Sequence, residues 1–465
     1  MSPFHPPLLL TRVSKQWRTV AEATPTLWSR LSFKLVVSFY GQSVEIDKLE
    51  AQRAAIIRWL TLAAGSEVSI SISIIDNSRD LIVPQRHVAD QLVDQLCESH
   101  FTNQWAQLSI AAELGEPYRS KLLSIPKDSL RSLKKLEYAP SQYSATPGRK
   151  LLGESSLIAL PTLTSLALES LYGDTPLQDL PINWENITEI DLRLEKGDDL
   201  GWGPGSVDYL HSKCPKLQAL SFHFGPSRLA MYHPSGDLTP KRFSNLTDLR
   251  IETAHNTVGP TICSEWMATL FVPSLVRFAY HNTNMGPDPE SPILPFLRAN
   301  TDNLGNLKEV ELSGLLQNQL ELLQFLEILG GSGTRVERLK FSWAEPANSY
   351  LSQRPVLLTD SILEKLTPSP SEEEGGTAIR QCLFPGLKYL DCGLVLPYCG
   401  EFTAEDLMRF LEGRFWASGK GAVAKLEYVG VDFYPEETKG PLSGWRSRFE
   451  DLGLHIDKDF RFELR

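Results

Sequence analysis

Catalytic chemistry usually starts from histidines, cysteines, paired carboxylates or glycine-rich turns, and in this chain those residues are scattered. His223 and His281 fall on separate expected strands, with no H-E-x-x-H pair and no nucleophile elbow beside them. The cysteines at 97, 214, 263, 382, 392 and 399 form no C-x-x-C pair, so a zinc site is not expected. Buried free thiols in a reducing compartment are the simpler reading. GWGPGS (201–206) lacks the G-x-G-x-x-G spacing, and GGSGT (330–334) runs from helix to strand, the reverse of a phosphate loop. Gly419-Lys420 is followed by Gly421 where such a loop needs Ser or Thr. No catalytic residue, cofactor or metal is expected, and the chain reads as a non-enzyme.

Binding chemistry has a better address. From residue 105 onward a six-residue pattern recurs, with apolar residues at its first, fourth and sixth positions. It reads WAQLSI (105–110), LKKLEY (133–138), LTSLAL (163–168), ITEIDL (187–192), LQALSF (217–222) and LTDLRI (246–251). It continues as LVRFAY (275–280), LKEVEL (307–312), VERLKF (336–341), LKYLDC (387–392) and LEYVGV (426–431). Alternation of this kind is a strand signal, with the apolar residues on one face and the intervening ones on the other. The solvent-facing positions carry Arg250, Arg277, Glu309, Arg338, Lys340, Tyr389 and Tyr428, the candidate partner-binding residues. Tyr and Arg lead that set because they dominate interface hot spots. Asp248–Arg277, Glu309–Arg338 and Glu311–Lys340 occupy equivalent places in consecutive copies, so cross-strand pairing is expected, and the face could equally serve only to keep the sheet soluble.

The first eight intervals between copies are 28, 30, 24, 30, 29, 29, 32 and 29 residues. Lead-ins such as LPTL, CPKL, FSNL, VPSL, LGNL and FPGL precede many of them, and helical patterns lie between, clearest at NQLELLQFLEIL (318–329). This resembles an irregular leucine-rich repeat, a family in which each unit supplies one strand plus a helix or turn. The resemblance implies an α/β solenoid, with parallel strands on the concave face and helices or turns on the convex one. Residues 32–104 show the pattern less clearly. They read as a helix (45–65), a strand (67–74) and a second helix (86–100), forming irregular first repeats or an N-terminal cap.

Ahead of these lies PPLLLTRVSKQWRTVAEATPTLWSRL (6–31). Leu10, Val13, Trp17, Val20 and Ala21 recur at helical spacing, and Arg12, Lys15, Arg18 and Glu22 take the other face. Thr24-Pro25 then suits the cap and first residue of a short second helix carrying Leu27, Trp28 and Leu31. Each tryptophan needs roughly 150–250 Å² of cover. Trp17 and Trp28 are therefore expected to pack against each other and the first repeats. The segment resembles the second half of an F-box, with its V-x-x-x-W and P-x-L-W-x-x-L spacings. The Leu-Pro turn and acidic leucine-rich helix that open that module are missing from Met1–Pro7.

The resemblance implies a substrate-recognition subunit of an SCF-type (cullin) ubiquitin ligase. Its partners would be the SCF adaptor protein, the cullin and a protein substrate of unknown identity. Leu9, Leu10, Val13, Trp17, Leu27 and Trp28 would carry the adaptor-facing or F-box core role. The alternative is a leucine-rich-repeat interaction scaffold that no longer docks a ligase.

Composition agrees with a protein-binding protein. The 465 residues are 42% apolar and 22% charged, with net charge −11 and a pI near 5.4. That acidity argues against a nucleic-acid binder, and no apolar run approaches the roughly 20 residues of a membrane span. The expected location is cytoplasmic or nuclear. The expected domains are 1–31 (partial F-box), 32–104 (first repeats or cap), 105–434 (solenoid) and 435–465 (C-terminal cap). TPSPSEEEGGT (367–377) interrupts the array as a flexible acidic insertion or, through Thr367-Pro368 and Ser369-Pro370, a phosphorylated switch.

Overall fold

The computed structural model describes residues 6–39, 42–76, 83–111, 114–139, 152–169, 177–194, 204–224, 239–253, 267–282, 293–313, 319–331, 333–342, 359–370, 379–380, 382–395, 404–433 and 460–461. The chain divides into two compact units, Met1–Leu217 and Gln218–Arg465. That division falls inside the stretch whose sequence repeats. Both units are α/β and built on parallel strands.

In the N-terminal unit, helices α1 (Pro6–Val13) and α2 (Lys15–Glu22) precede a 3-10 turn at Pro25–Trp28. The apolar spacing reads through as one helix, but Ser14 breaks it. Ser14 is extended, and its hydroxyl accepts from the Trp17 N–H at 3.1 Å, capping α2. Thr24 makes no such cap; its hydroxyl turns back to donate to the Val20 carbonyl.

Leu31 belongs to a strand rather than to the expected second helix. Strand β1 (Arg30–Phe39) buries Leu31, Phe33, Leu35 and Val37 on one face. It pairs antiparallel with β2 (Gln42–Ser43) and parallel with β3 (Val68–Asp76). Then follow β4 (Trp105–Ile110), β5 (Lys135–Tyr138), β6 (Ser165–Glu169) and β7 (Glu189–Leu194), all parallel. The core row Leu31, Ile70, Leu108, Leu136, Leu166 and Ile190 crosses these strands in register. The expected helices are present as α3 (Ile46–Leu62) and as Val83–Leu96 with a short Ser99–Thr102 turn after it.

The C-terminal unit continues the same local design. Strands β8 (Ala219–Phe224), β9 (Lys241–Arg242), β10 (Asp248–Thr253), β11 (Leu270–Phe271), β12 (Arg277–Asn282) and β13 (Glu309–Ser313) come first. After them are β14 (Arg338–Ser342), β15 (Ser369–Pro370), β16 (Ile379–Arg380), β17 (Tyr389–Val395), β18 (Tyr428–Phe433) and β19 (Phe460–Arg461). The main sheet runs β8-β10-β12-β13-β14-β17-β18-β19, and each adjacent pair is parallel. Strands β9 and β11 pair separately. Leu220, Leu249, Phe278, Val310, Leu339, Leu390 and Val429 form one core row across the main sheet. Helices Ile293–Asn300, Gln319–Gly331 and Ala404–Gly419 bury apolar residues, and Phe296 stacks on Phe278 at 5.3 Å.

The lead-in tetrapeptides explain why each strand starts where it does. In LPTL, CPKL, FSNL, VPSL, LGNL and FPGL the fourth residue's N–H bonds to the first residue's carbonyl, closing a turn. Both ends of every one of these turns are buried. After LPTL, FSNL, VPSL, LGNL and FPGL the next two N–H groups converge on a single carbonyl of the preceding copy, as Val276 and Arg277 do on Thr247. All eleven sequence copies become strands, and all but the first, which is strand from Trp105 onward, begin at the pattern's third residue.

The acidic insertion leaves and returns at one place, because Ser369–Pro370 pairs antiparallel with Ile379–Arg380. Its residues 371–377 lie outside the described residues, as does most of the expected C-terminal cap, 435–465, apart from β19. Gly201–Gly203 lie outside them too.

Candidate functional site

Two surfaces collect the candidate residues, one in each unit. In the N-terminal unit, Trp28 is 2% exposed and sets its ring edge-on against Trp59, with centroids 4.9 Å apart. The Trp28 indole donates to the Ala21 carbonyl and the Trp59 indole donates to the Trp28 carbonyl, each at 2.7 Å. The expected partner of Trp28 was Trp17, and the structure corrects this. Trp17 is 51% exposed and Val13 66% exposed, and Leu9, Val20 and Leu27 are exposed as well. Leu10 is half-buried. Of the side of α1–α2 that reads as a packing face, Ala21 is buried while Val13, Trp17 and Val20 point outward, because Trp59 of α3 takes the place next to Trp28. Arg12, Lys15 and Arg18 of the same two helices are exposed as well.

In the C-terminal unit, the parallel register brings the polar-face candidates onto neighbouring strands. One row runs Asp248, Arg277, Glu309, Arg338, Tyr389 and Tyr428. The next runs Ser221, Arg250, Ala279, Glu311, Lys340, Asp391 and Gly430. All three expected cross-strand pairs form. Arg277 Nη2 lies 2.8 Å from Asp248 Oδ2, Lys340 Nζ 2.7 Å from Glu311 Oε1, and Arg338 Nε 3.8 Å from Glu309 Oε1. Such half-exposed pairs are worth only about 0–1 kcal/mol each. They hold the face's charges in a fixed pattern more than they hold the fold.

Both tyrosines are ordered by neighbours. The Arg338 guanidinium sits 4.3 Å over the Tyr389 ring, and the Tyr389 hydroxyl donates to Glu427, which raises its pKa. The Tyr428 ring covers Gly430, where an added Cβ would meet the Tyr428 hydroxyl at 2.6 Å. Burial pushes the Asp248 carboxyl up against the opposing pull of Arg277.

A third polar row escaped sequence reasoning. Register places Glu252 between His223 and His281. His223 Nδ1 is 2.8 Å from Glu252 Oε2, and this hydrogen bond holds the Glu252 carboxyl below its usual range. The signal was in the sequence, since all three residues stand at the same offset within consecutive copies. Around His281, the charged groups are Arg250 and Glu252 from β10, Glu311 from β13 and Lys340 from β14. Burial first, then the Arg250 charge, hold the imidazole below its ordinary 6.5. As pH falls below that value the unfolded chain takes up this proton first, so the unit loses stability between 6.5 and the lower folded value. Urea midpoints measured across that range should fall less steeply in His281→Gln than in the unaltered chain.

Other candidates stay dispersed. Burial raises the thiol of Cys97 to about 11 and of Cys214 to about 12, and raises Cys382 and Cys392 as well, so these thiols are protonated at neutral pH. Cys263 and Cys399 lie outside the described residues. Among the described residues no three His, Cys, Asp or Glu side chains gather as a metal site, and no helix is long and apolar enough to cross a membrane. The polar face of the N-terminal unit holds an open trough of about 420 Å³ lined by Ser32, Ser69, Ser71 and Ser109, with Arg30 and Lys135 beside them. No family model matches this sequence, and no curated protein matches it.

Proposed function

We propose that this chain is the substrate-recognition subunit of an SCF-type ubiquitin ligase, with its parallel strands arranged as a leucine-rich-repeat solenoid. The observation that carries the reading is the outward apolar row Leu9, Val13, Trp17, Val20 and Leu27. Isolated exposed apolar residues are ordinary, but five along α1, α2 and the 3-10 turn after them mark a surface that a partner covers. Trp28, locked on Trp59, fixes this segment to the body of the N-terminal unit, so whatever docks there is held against that unit. On this reading the adaptor takes the apolar row and the substrate takes the charged face of β10 to β18. The protein would work in the cytoplasm or nucleus.

Affinity purification of the tagged full-length chain tests the reading. Adaptor and cullin should come down with it, and V13D/W17D should remove both without moving the thermal midpoint, since both positions are exposed. Recovery of the folded chain with neither partner would reject the ligase role.

A second reading is an interaction scaffold without ligase docking. It is favoured by the charged ladder, which stands on rigid strands and makes no use of α1–α2. Its signature would be protein partners captured equally by the unaltered chain and by V13D/W17D.

A further inference from the structure

Strand β1 lies at one end of the N-terminal unit's sheet, with only the two-residue β2 beyond it. Backbone groups of successive residues in a strand point to opposite sides. The Ser69 N–H donates to the Ser29 carbonyl at 2.8 Å, and Arg30 stands opposite Ser69 in register. Leu31, Phe33 and Leu35 therefore bond to β3, while Arg30, Ser32 and Lys34 turn their N–H and C=O groups to the outer edge. β2 covers only the far end of that edge, at Ser38 and Phe39. Among the described residues nothing hydrogen-bonds the outward backbone groups of Arg30, Ser32 or Lys34, and all three residues are exposed. An open edge of this kind is a template for another strand.

The side chains select the occupant. Arg30 and Lys34 flank Ser32 on the polar face, and neither has a carboxylate partner among the described residues. Lys135, across the open trough that Arg30 and Ser32 help to line, is by contrast held by Glu137 at 2.9 Å. Basic residues on an edge are a common guard against unwanted pairing, and here they act against a second copy of the chain. Antiparallel self-pairing centred on Ser32 sets Arg30 of each copy opposite Lys34 of the other, and like charges directly opposite are destabilising. A strand with acidic residues at alternate positions meets the reverse case. Two of its carboxylates face Arg30 and Lys34, and the acid between them faces the Ser32 hydroxyl beside the open trough.

We propose that the outer edge of β1 receives an extended acidic segment of a protein partner as an added strand. Main-chain hydrogen bonds to Arg30, Ser32 and Lys34 supply the attachment, and the two cations supply the selection. General attraction of acidic peptides is no rival explanation, since the whole chain carries a net charge of −11. The inference goes beyond the ligase reading and does not depend on it, because the apolar row of α1–α2 takes no part.

The test uses the full-length chain and fluorescein-labelled peptides of alternating Glu-Thr, Gln-Thr and Lys-Thr, followed by anisotropy. Two opposed cross-strand charge pairs correspond to a roughly two- to thirtyfold preference for Glu-Thr over Gln-Thr, with Lys-Thr weaker still. Arg30→Glu combined with Lys34→Glu should reverse the order and favour Lys-Thr. Ser32→Pro removes an outward N–H, keeps both cations and spares the β1–β3 ladder, so it should weaken Glu-Thr binding about tenfold or more with little change in thermal midpoint. Two further Glu-Thr peptides carry N-methyl groups, one at every Glu and the other at every Thr. An added strand turns only alternate N–H groups to its neighbour, so one of these peptides should bind and the other should not. This readout does not depend on how well Ser32→Pro folds. Equal binding of the two methylated peptides, or no preference for Glu-Thr over Lys-Thr, would overturn the proposal. So would a dimer of the unaltered chain that Ser32→Pro makes monomeric, since the edge would then serve a second copy. V13D/W17D should leave Glu-Thr binding unchanged even where it removes the adaptor; loss of the peptide in that variant would move it to the apolar row and reject the edge.

Discussion

Trp28→Ala is expected to destabilise the N-terminal unit by about 3–5 kcal/mol, the range for deleting a large buried aromatic. Three losses combine. The indole is 2% exposed, so its removal opens a cavity beneath β1 and α3. The edge-on contact with Trp59 goes with it, worth about 0.5–1.5 kcal/mol beyond burial. The Ala21 carbonyl at the C-terminal end of α2 then loses the indole donor and keeps the longer bond from the Thr24 N–H. Trp17→Ala, eleven residues earlier, should change stability by no more than about 0.5 kcal/mol, because the side chain is mostly in water. Urea titration followed by far-ultraviolet circular dichroism separates the two. Equal effects from both substitutions would mean that Trp17 is packed after all, and the apolar row would lose its standing as a docking surface.

The second large effect is expected at Arg414, on the helix Ala404–Gly419. This guanidinium is 1% exposed, and burial pulls its pKa down. It donates to the carbonyls of Leu366, Leu383 and Phe384 at 3.0, 3.2 and 2.9 Å, tying three separate segments together. Phe384 sits at φ 54°, a left-handed conformation costing a residue with a Cβ roughly 1–2 kcal/mol, and the clamp on its carbonyl holds it there. Arg414→Met keeps the volume and removes every donor.

Two effects compete in that variant. Removing a buried charge whose Nη1 has no hydrogen-bond partner is favourable, as when buried ionic groups are exchanged for apolar ones. The Phe384 carbonyl keeps the Leu387 N–H, but stripping the arginine donors from the Leu366 and Leu383 carbonyls costs about 1–3 kcal/mol each. The second should win, for a net loss of about 2–4 kcal/mol. Arg414→Lys should recover little of it, since one ammonium on a different stem cannot reach three carbonyls in a fork. A neutral Arg414→Met would show that water or neighbouring groups satisfy those carbonyls.

How far each feature could be read from the amino acids follows from the range of the interaction behind it. The apolar spacing marked all eleven strands, and the lead-in tetrapeptides marked the turns, because alternation and turn closure act within about six residues. The three acid–base pairs were legible for a related reason. Equal offsets in consecutive copies become neighbours once the strands align in parallel, and Asp248–Arg277, Glu309–Arg338 and Glu311–Lys340 follow. The same rule applied one row further would have brought Glu252 between the two histidines. Strand β1 was also within reach, since Leu31, Phe33, Leu35 and Val37 alternate, but the helical reading of the preceding residues was carried too far.

Arg414 could not be foreseen, because its three acceptors lie 30 to 48 residues away in sequence and are backbone atoms of any residue type. Nor could the direction of the N-terminal helices. Spacing shows that Leu10, Val13 and Trp17 share a side of the chain, and it identified the residues of the pairing ladder and the core rows. Whether an apolar side is covered depends on what the rest of the chain brings to it, and here α3 brings Trp59 to Trp28 and nothing to Trp17. Local patterning thus settled which residues form strands and which face is polar. Only the packed structure decided that Trp28 anchors the N-terminal segment while Trp17 is offered outward, because burial is a property of distant surfaces meeting.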